Sequence, residues 1–429
     1  MIRYQDLRNL ATQFSLREDI VEKDYLIGWV LWGIGTDPEL KHQWVFKGGT
    51  CLKKCYIETY RFSEDLDFTV MPDGPIGSGQ VLSILERLLV RVHDASGIDF
   101  SIRSPNLRER PNGLSAEGRI YYRGPRNAPM AASLKLDLSA EEKVVRPSVL
   151  RPIAHPYPDQ LPDPGTARCY AFEELFAEKI RAMGERSRPR DLYDIVNLFW
   201  RQDLRAEPSL IRTVLSEKCT VKGAPIPSLK AIQNSSHRAE LEAEWANMLA
   251  HQLPVLPPFE QFWRELPKLF DWLEGVTVRE ELPPIPVEAT VEKATAWIPP
   301  PVVWTSGIGV PLEPIRFAAV NHLCVELVYQ KETGEITTPI IEPYSLRRTR
   351  SGTLLLHALK IPTRESKAYR IDRIQKVTVT TKPFAPKYRI EFSPAGPIGA
   401  APTTRTPSLR DYSAGISRPT RRGKGQNRL

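Results

Sequence analysis

The chain has 429 residues, 41% of them hydrophobic and 26% charged, with a formal net charge of +8. That length exceeds one core and points to two or three domains, while the lack of any run of about 18 apolar residues argues against a membrane span. Five scattered cysteines without a CxxC pair argue for reduced thiols and against a zinc site or disulfide framework. No apolar signal region opens the sequence, so a cytoplasmic location is expected. The basic balance favours polyanionic partners without identifying one.

Residues 1–36 read as helices, with Ile20, Val21, Tyr25, Ile27, Val30, Leu31 and Ile34 at helical spacing. Trp44-Val45-Phe46 is a short strand that runs into a Gly-Gly turn. Residues 62–70 form a strand, 71–79 a Gly/Pro loop and 81–92 an amphipathic helix. Residues 133–139 alternate: Leu134, Leu136 and Leu138 face one way, and Ser133, Lys135, Asp137 and Ser139 the other. Six prolines within 147–164 require a loop or an extended crossing segment. Helices dominate 172–273, and a proline-rich connector follows. Beyond it, 323–328, 338–343, 354–358 and 374–380 are strand candidates suited to a small barrel. The last thirty residues hold seven Arg or Lys against one Asp and read as a disordered basic tail. The class is α+β. A first domain is expected over 1–275, with an α/β portion over 1–146 and a helical portion over 166–275. The connector takes 276–313, the barrel 314–393 and the tail 394–429.

The chemistry concentrates in two stretches, Phe46-Lys47-Gly48-Gly49-Thr50 and Arg61-Phe62-Ser63-Glu64-Asp65-Leu66-Asp67-Phe68. Glycines before a helix offer free backbone N–H groups to a phosphate, although the spacing is not that of a Walker A loop. On a strand, Asp65 and Asp67 share a face with Ser63, and two such carboxylates suit Mg²⁺ or Mn²⁺ together with substrate phosphates. Asp137, on the polar face of its own strand, is the candidate third carboxylate. At about 3.6 residues per turn, Lys179 falls inside the apolar arc of Phe172, Leu175, Phe176, Ile180 and Met183. An unpartnered ammonium there is costly, so Lys179 either pairs with a buried acid or faces a triphosphate. Asp191 sits likewise among Leu192, Ile195, Leu198 and Phe199 and is the expected partner of Lys179. Arg186, Arg188 and Arg190 are candidate contacts to phosphate or to the acceptor.

The ordered motifs FKGGTCL, RFSEDLDF, EELFAEKI and RPRDLYD resemble the AbiEii/AbiGii toxin family of nucleotidyltransferases, including the MenT-like toxins. The likeness covers roughly residues 15–200, and Val21-Glu22-Lys23-Asp24-Tyr25-Leu26-Ile27 looks like that family's N-terminal helix. It implies a polymerase-β-like core and Mg²⁺-dependent transfer of a nucleoside monophosphate from an NTP, with pyrophosphate leaving. It also implies an acceptor such as the 3′ end of tRNA, a role in toxin–antitoxin systems or phage defence, and a cognate antitoxin. Gly48, Gly49 and Thr50, flanked by Lys47 and Ser63, would hold the triphosphate. Asp65 and Asp67 would bind metal, Lys179 would contact nucleotide phosphates, Asp191 would complete the site and Asp194 would support it.

The stretches Val325-Glu326-Leu327-Val328-Tyr329, Ile341-Glu342-Pro343 and Tyr369-Arg370-Ile371-Asp372-Arg373-Ile374 look like a WYL domain, an SH3/Sm-like barrel that senses nucleic acid or small ligands. Leu354-Leu355-Leu356 stands where the Trp-Tyr-Leu would be, which removes the aromatic stacking platform. Arg347, Arg348, Arg350, Arg370 and Arg373 remain as candidate phosphate contacts. Two other readings stay open: a non-catalytic nucleic-acid-binding regulator, and an enzyme that nucleotidylates a protein.

Overall fold

Alternation of apolar and polar side chains drives residues 132–139 into a strand with Leu134, Leu136 and Leu138 buried. The computed structural model of the chain describes residues 1–57, 61–234, 237–286, 312–348 and 353–391. Helices α1 (Tyr4–Phe14) and α2 (Glu18–Thr36) precede β1 (Trp44–Lys47), which hands the chain to α3 (Gly48–Cys51) and a π-helical turn, Leu52–Tyr56. Then come β2 (Asp65–Val70), α4 (Ser78–Ser96), β3 (Asn106–Glu109), β4 (Ser115–Tyr122), β5 (Ala132–Ser139), β6 (Val149–Pro152) and β7 (Thr166–Cys169). These strands form one mixed sheet in the order β3-β4-β5-β2-β1-β7-β6. Leu66 and Phe68 of β2 are buried, and Phe68 lies near Leu31 and Ile34 of α2; Asp65 and Asp67 alternate onto the opposite face.

Three differences from the sequence reading have local causes. The strand expected from residue 62 begins at Asp65, because the Phe62 N–H donates to the carbonyl of Gln252 at 3.0 Å and the Arg61 side chain turns the same way. The proline-rich stretch contains β6, which tolerates Pro152 because it is the sheet's edge. Strands β3 and β4 arise in 97–131, where the sequence shows no alternation, and the sheet runs on to β7 beyond the expected boundary at residue 146.

The helical region comprises α5 (Phe172–Arg186), α6 (Pro189–Trp200), α7 (Pro208–Lys222), α8 (Leu229–Asn234), α9 (His237–Leu249), α10 (Phe259–Trp263) and α11 (Leu266–Leu273). Helix α12 (Glu313–Val320) opens the C-terminal unit, with β8 (Leu323–Gln330), β9 (Ile336–Thr337), β10 (Ile340–Arg348), β11 (Leu354–Ile361), β12 (Glu365–Arg370) and β13 (Ile374–Pro383). This second sheet is antiparallel, in the order β12-β11-β10-β8-β13, with β9 on β8. Strand β12 escaped the sequence reading because four of its six residues are exposed. Asn321, buried after α12, accepts a 2.8 Å hydrogen bond from the Tyr193 hydroxyl on α6, and its carbonyl accepts one from Gln261. A single apolar core joins α1, the first sheet, the helical region, α12 and β8. Most of the expected connector, the candidate Arg350 and the whole expected basic tail lie outside the described residues. No helix among the described residues is long and apolar enough to cross a membrane.

Gly35 lets α2 lie on β7: a Cβ there would sit 2.2 Å from the Thr166 carbonyl oxygen. A backbone carbonyl in a ladder cannot swing aside, so Gly35→Ala should destabilise the protein by about 1–3 kcal/mol, typical of overpacking. Urea unfolding measures this, and an unchanged midpoint would refute the close approach.

Candidate active site

Each glycine of the pair answers to a different neighbour. Gly48 has φ +78°, and a Cβ on it would stand 2.3 Å from Asp67 Oδ2. A Cβ on Gly49 would meet Arg61 Nη2 at 2.6 Å and Ser63 Oγ at 3.1 Å. Bare backbone at both positions lets the turn lie directly against a carboxylate and a guanidinium. Beside it, Lys47 stands opposite Asp67 in the β1/β2 ladder, and its ammonium pairs with Glu142. Thr50 is buried with its hydroxyl unpartnered, so its side chain lies beneath the turn.

Asp65 and Asp67 project from β2, and Asp137 stands opposite Asp67 across the parallel β2/β5 ladder. Burial, then the Asp65 charge, then Asp137 push the Asp67 carboxyl up to about 6, against the pull of Lys47 and Lys179. Asp65 is raised as well, by burial and by Asp137, with Lys135 and Arg190 opposing. The neighbouring cations therefore leave these carboxylates short of neutralised. A hard oxygen donor set with surplus negative charge fits a divalent cation with oxygen preference, and Asp65, Asp67 and Asp137 are the residues that would hold it. Asp137 is drawn to Lys135, whose Nζ lies 2.7 Å from its Oδ2. The three carboxylates do not gather within 4.8 Å of one another.

The partner of Lys179 is Asp194 rather than the expected Asp191. Lys179 Nζ lies 2.7 Å from Asp194 Oδ2, and the same carboxylate accepts Arg61 Nε at 2.7 Å and Arg61 Nη2 at 2.8 Å. Asp191 is instead gripped by Arg186 through two 2.9 Å bonds. The two acids are three residues apart on α6, so both face inward; Asp194, one turn further along, meets α5 and Arg61, while Asp191 faces back to the helix entrance. Burial alone would raise Asp194, but Arg61 and Lys179 hold it well below the usual carboxylate range.

The remaining predicted contacts are spread out. Arg186 and Arg188 are exposed, and half-buried Arg190 donates to the Met248 carbonyl at 3.3 Å and acts electrostatically on Asp65. Arg347 is buried, bonded to Ser345 and paired with Glu391 at 3.0 Å, so it forms part of the C-terminal packing and not a phosphate surface. Arg370 pairs with Asp372 and Arg373 with Glu332. The sequence reading left Arg61 and Glu142 without roles. Arg61 stands inside the RFSEDLDF motif, which was the available signal; Glu142 carried none.

Asp67 loses its proton near 3.8 when unfolded and near 6 when folded. The folded state holds the proton longer, so stability falls as pH rises from about 4 to 6, by on the order of 3 kcal/mol. Asp67→Asn should therefore raise the melting temperature at pH 7.5, with the gain vanishing near pH 4. Asp194→Asn should do the opposite and cost about 3–5 kcal/mol, because Arg61 and Lys179 lose their shared anion. Thermal melts across pH measure both, and a destabilised Asp67→Asn would contradict the charge accounting.

A solved structure of the proteasome accessory factor B/C (PafBC) of Arthrobacter aurescens is 10% identical and covers 87% of this chain. Its TM-score is 0.17, and the chain spans 41% of that structure's length. No curated protein matches the chain. The family model for the nucleotidyl transferase AbiEii toxin of type IV toxin–antitoxin systems matches residues 29–273. The match begins after the Val21 to Ile27 stretch and reaches past residue 200 to take in the helices behind Asp194. It covers more than half of the chain, which belongs to the AbiEii family of nucleotidyl transferase toxins.

Proposed function

We propose that this protein transfers a nucleoside monophosphate from an NTP to an RNA acceptor, tRNA in our reading, with release of pyrophosphate. The observation that carries the reading is the contact between the Gly48 backbone and the Asp67 carboxylate, which sets a phosphate-accepting turn against a cation-binding acid. Mg²⁺, or Mn²⁺ in its place, held by Asp65 and Asp67 would neutralise triphosphate charge and orient the α-phosphate for in-line attack. Backbone N–H groups at Gly48 and Gly49 would receive the phosphates, with Lys47 and Ser63 at the rim. Lys179, fixed in direction by Asp194, would stabilise charge on the departing pyrophosphate. Asp137 is favoured over Asp191 as the third carboxylate, since it neighbours Asp67 in the ladder whereas Asp191 is committed to Arg186. Exposed Arg188 would meet the acceptor backbone, beside Arg186 in its pair with Asp191.

The C-terminal sheet is proposed as a WYL-like, SH3/Sm-like regulatory domain. What supports coupling to the site is the Tyr193–Asn321 hydrogen bond, because Tyr193 sits between Asp191 and Asp194 on α6. The protein would act in the cytoplasm as a toxin or phage-defence effector restrained by an antitoxin.

Incubation with each α-labelled NTP, Mg²⁺ and total tRNA should place label on RNA. Asp67→Ala should abolish it, and Lys179→Met should slow it by about 10²–10³-fold, the usual effect of losing one charge-stabilising donor. Label on protein instead of RNA would identify a side-chain acceptor. RNA that is bound but unlabelled would sink the enzymatic reading and leave a nucleic-acid-binding regulator.

A further inference from the structure

Two cysteines one helical turn apart and a third, distant in sequence, meet close to the Gly-Gly turn. Cys51 closes α3, Cys55 lies one turn on in the π-helical segment, and Cys169 ends β7. Their sulfur atoms all lie within 4.8 Å of one another, all three side chains are buried, and none is in a disulfide. We propose that Cys51, Cys55 and Cys169 form a three-thiolate site for a soft cation of low coordination number, with Cu(I) as the ion whose chemistry fits.

The donor set decides the class of metal. Thiolates select soft ions. Structural zinc wants four ligands, usually Cys or His, and among the described residues no fourth such ligand joins this group. Iron–sulfur clusters likewise use four donors. A trigonal arrangement of three sulfurs suits Cu(I), which the cluster would accept by releasing thiol protons to solvent. Cys169, whose thiol donates to the Ala167 carbonyl at 3.5 Å, would give up that bond.

The surroundings favour the anionic form that a metal needs. Arg151 donates to the Cys55 carbonyl at 3.1 Å, and Lys54, paired with Asp24, is a second buried cation next in sequence to Cys55.

Position gives the site a consequence. Cys51 lies three residues beyond Gly48, Cys169 faces Phe46 in the β1/β7 ladder, and the Tyr170 N–H donates to the Phe46 carbonyl at 3.0 Å. A bound ion would clamp α3, the π-helical turn and β7 together directly under the turn.

The test uses the reduced full-length protein without oxygen, titrated with Cu(I) against a competing chelator, both as the native fold and after refolding with the ion. The expected result is one Cu(I) per chain, a higher thermal midpoint and an X-ray absorption spectrum with three sulfur neighbours. Cys51→Ser and Cys169→Ser should weaken uptake by at least about 10²-fold, taking the upper end of outer-shell effects as a floor. Cys219→Ser and Cys324→Ser, at buried cysteines outside the group, should leave it unchanged. No uptake in either preparation, fewer than three sulfur neighbours in the wild type, or unchanged affinity in a folded Cys51→Ser would overturn the proposal. The spectrum of the wild type decides the question even if a serine variant fails to fold.

Discussion

One buried carboxylate ties the two halves of the site together. Asp194, on a helix of the helical region, accepts bonds from Arg61, which leads into the sheet, and from Lys179 on the neighbouring helix. Two cations share that anion, and the charge of one of them, Lys179, also reaches Asp67. Burial first, and then the charges of Asp65 and Asp137 on the sheet, make Asp67 reluctant to ionise. Charge of either sign is costly in a medium of low polarisability unless it meets a partner, and these groups meet theirs across the turn.

The sheet supplies the fixed side of that arrangement. β2 lies at the centre of seven strands, hydrogen-bonded to β1 on one side and β5 on the other. Its backbone cannot shift without breaking two ladders, so the points from which its carboxylates project are fixed. Lys179 and Asp194 are fixed differently, through side-chain charges and an apolar helical face, and the C-terminal unit touches that same helix through Asn321.

Much of the site could be read from the sequence because its components follow rules of spacing. Alternation put Asp65 and Asp67 on one face and Asp137 on the polar face of its strand; a helical period put Lys179 and Asp191 where charge is out of place. Period alone reports which way a residue points, not what it meets. Asp191 and Asp194 both point inward, and only the path of the chain through Arg61 decides which one Lys179 finds. Arg61 gave no periodic signal, since it precedes its strand and acts across 133 residues. The cysteines were illegible for the same reason: Cys169 joins Cys51 and Cys55 only because β7 runs beside β1. Strand β3 was missed because three of its four residues are exposed, and β4 because Ile120, Tyr121 and Tyr122 are buried in a row, which breaks the alternation that marks a half-buried strand.

Gly48 and Asp67 share one small volume, and this has an entropic meaning. In the proposed reaction, an oxyanion drawn to the turn and a cation drawn to the acid would arrive already adjacent, in an orientation set when the chain folded. Bringing two oppositely charged partners of a substrate complex together from solution normally forfeits translational and rotational freedom. Here folding has already met that loss, before any nucleotide arrives, through a missing side chain at position 48.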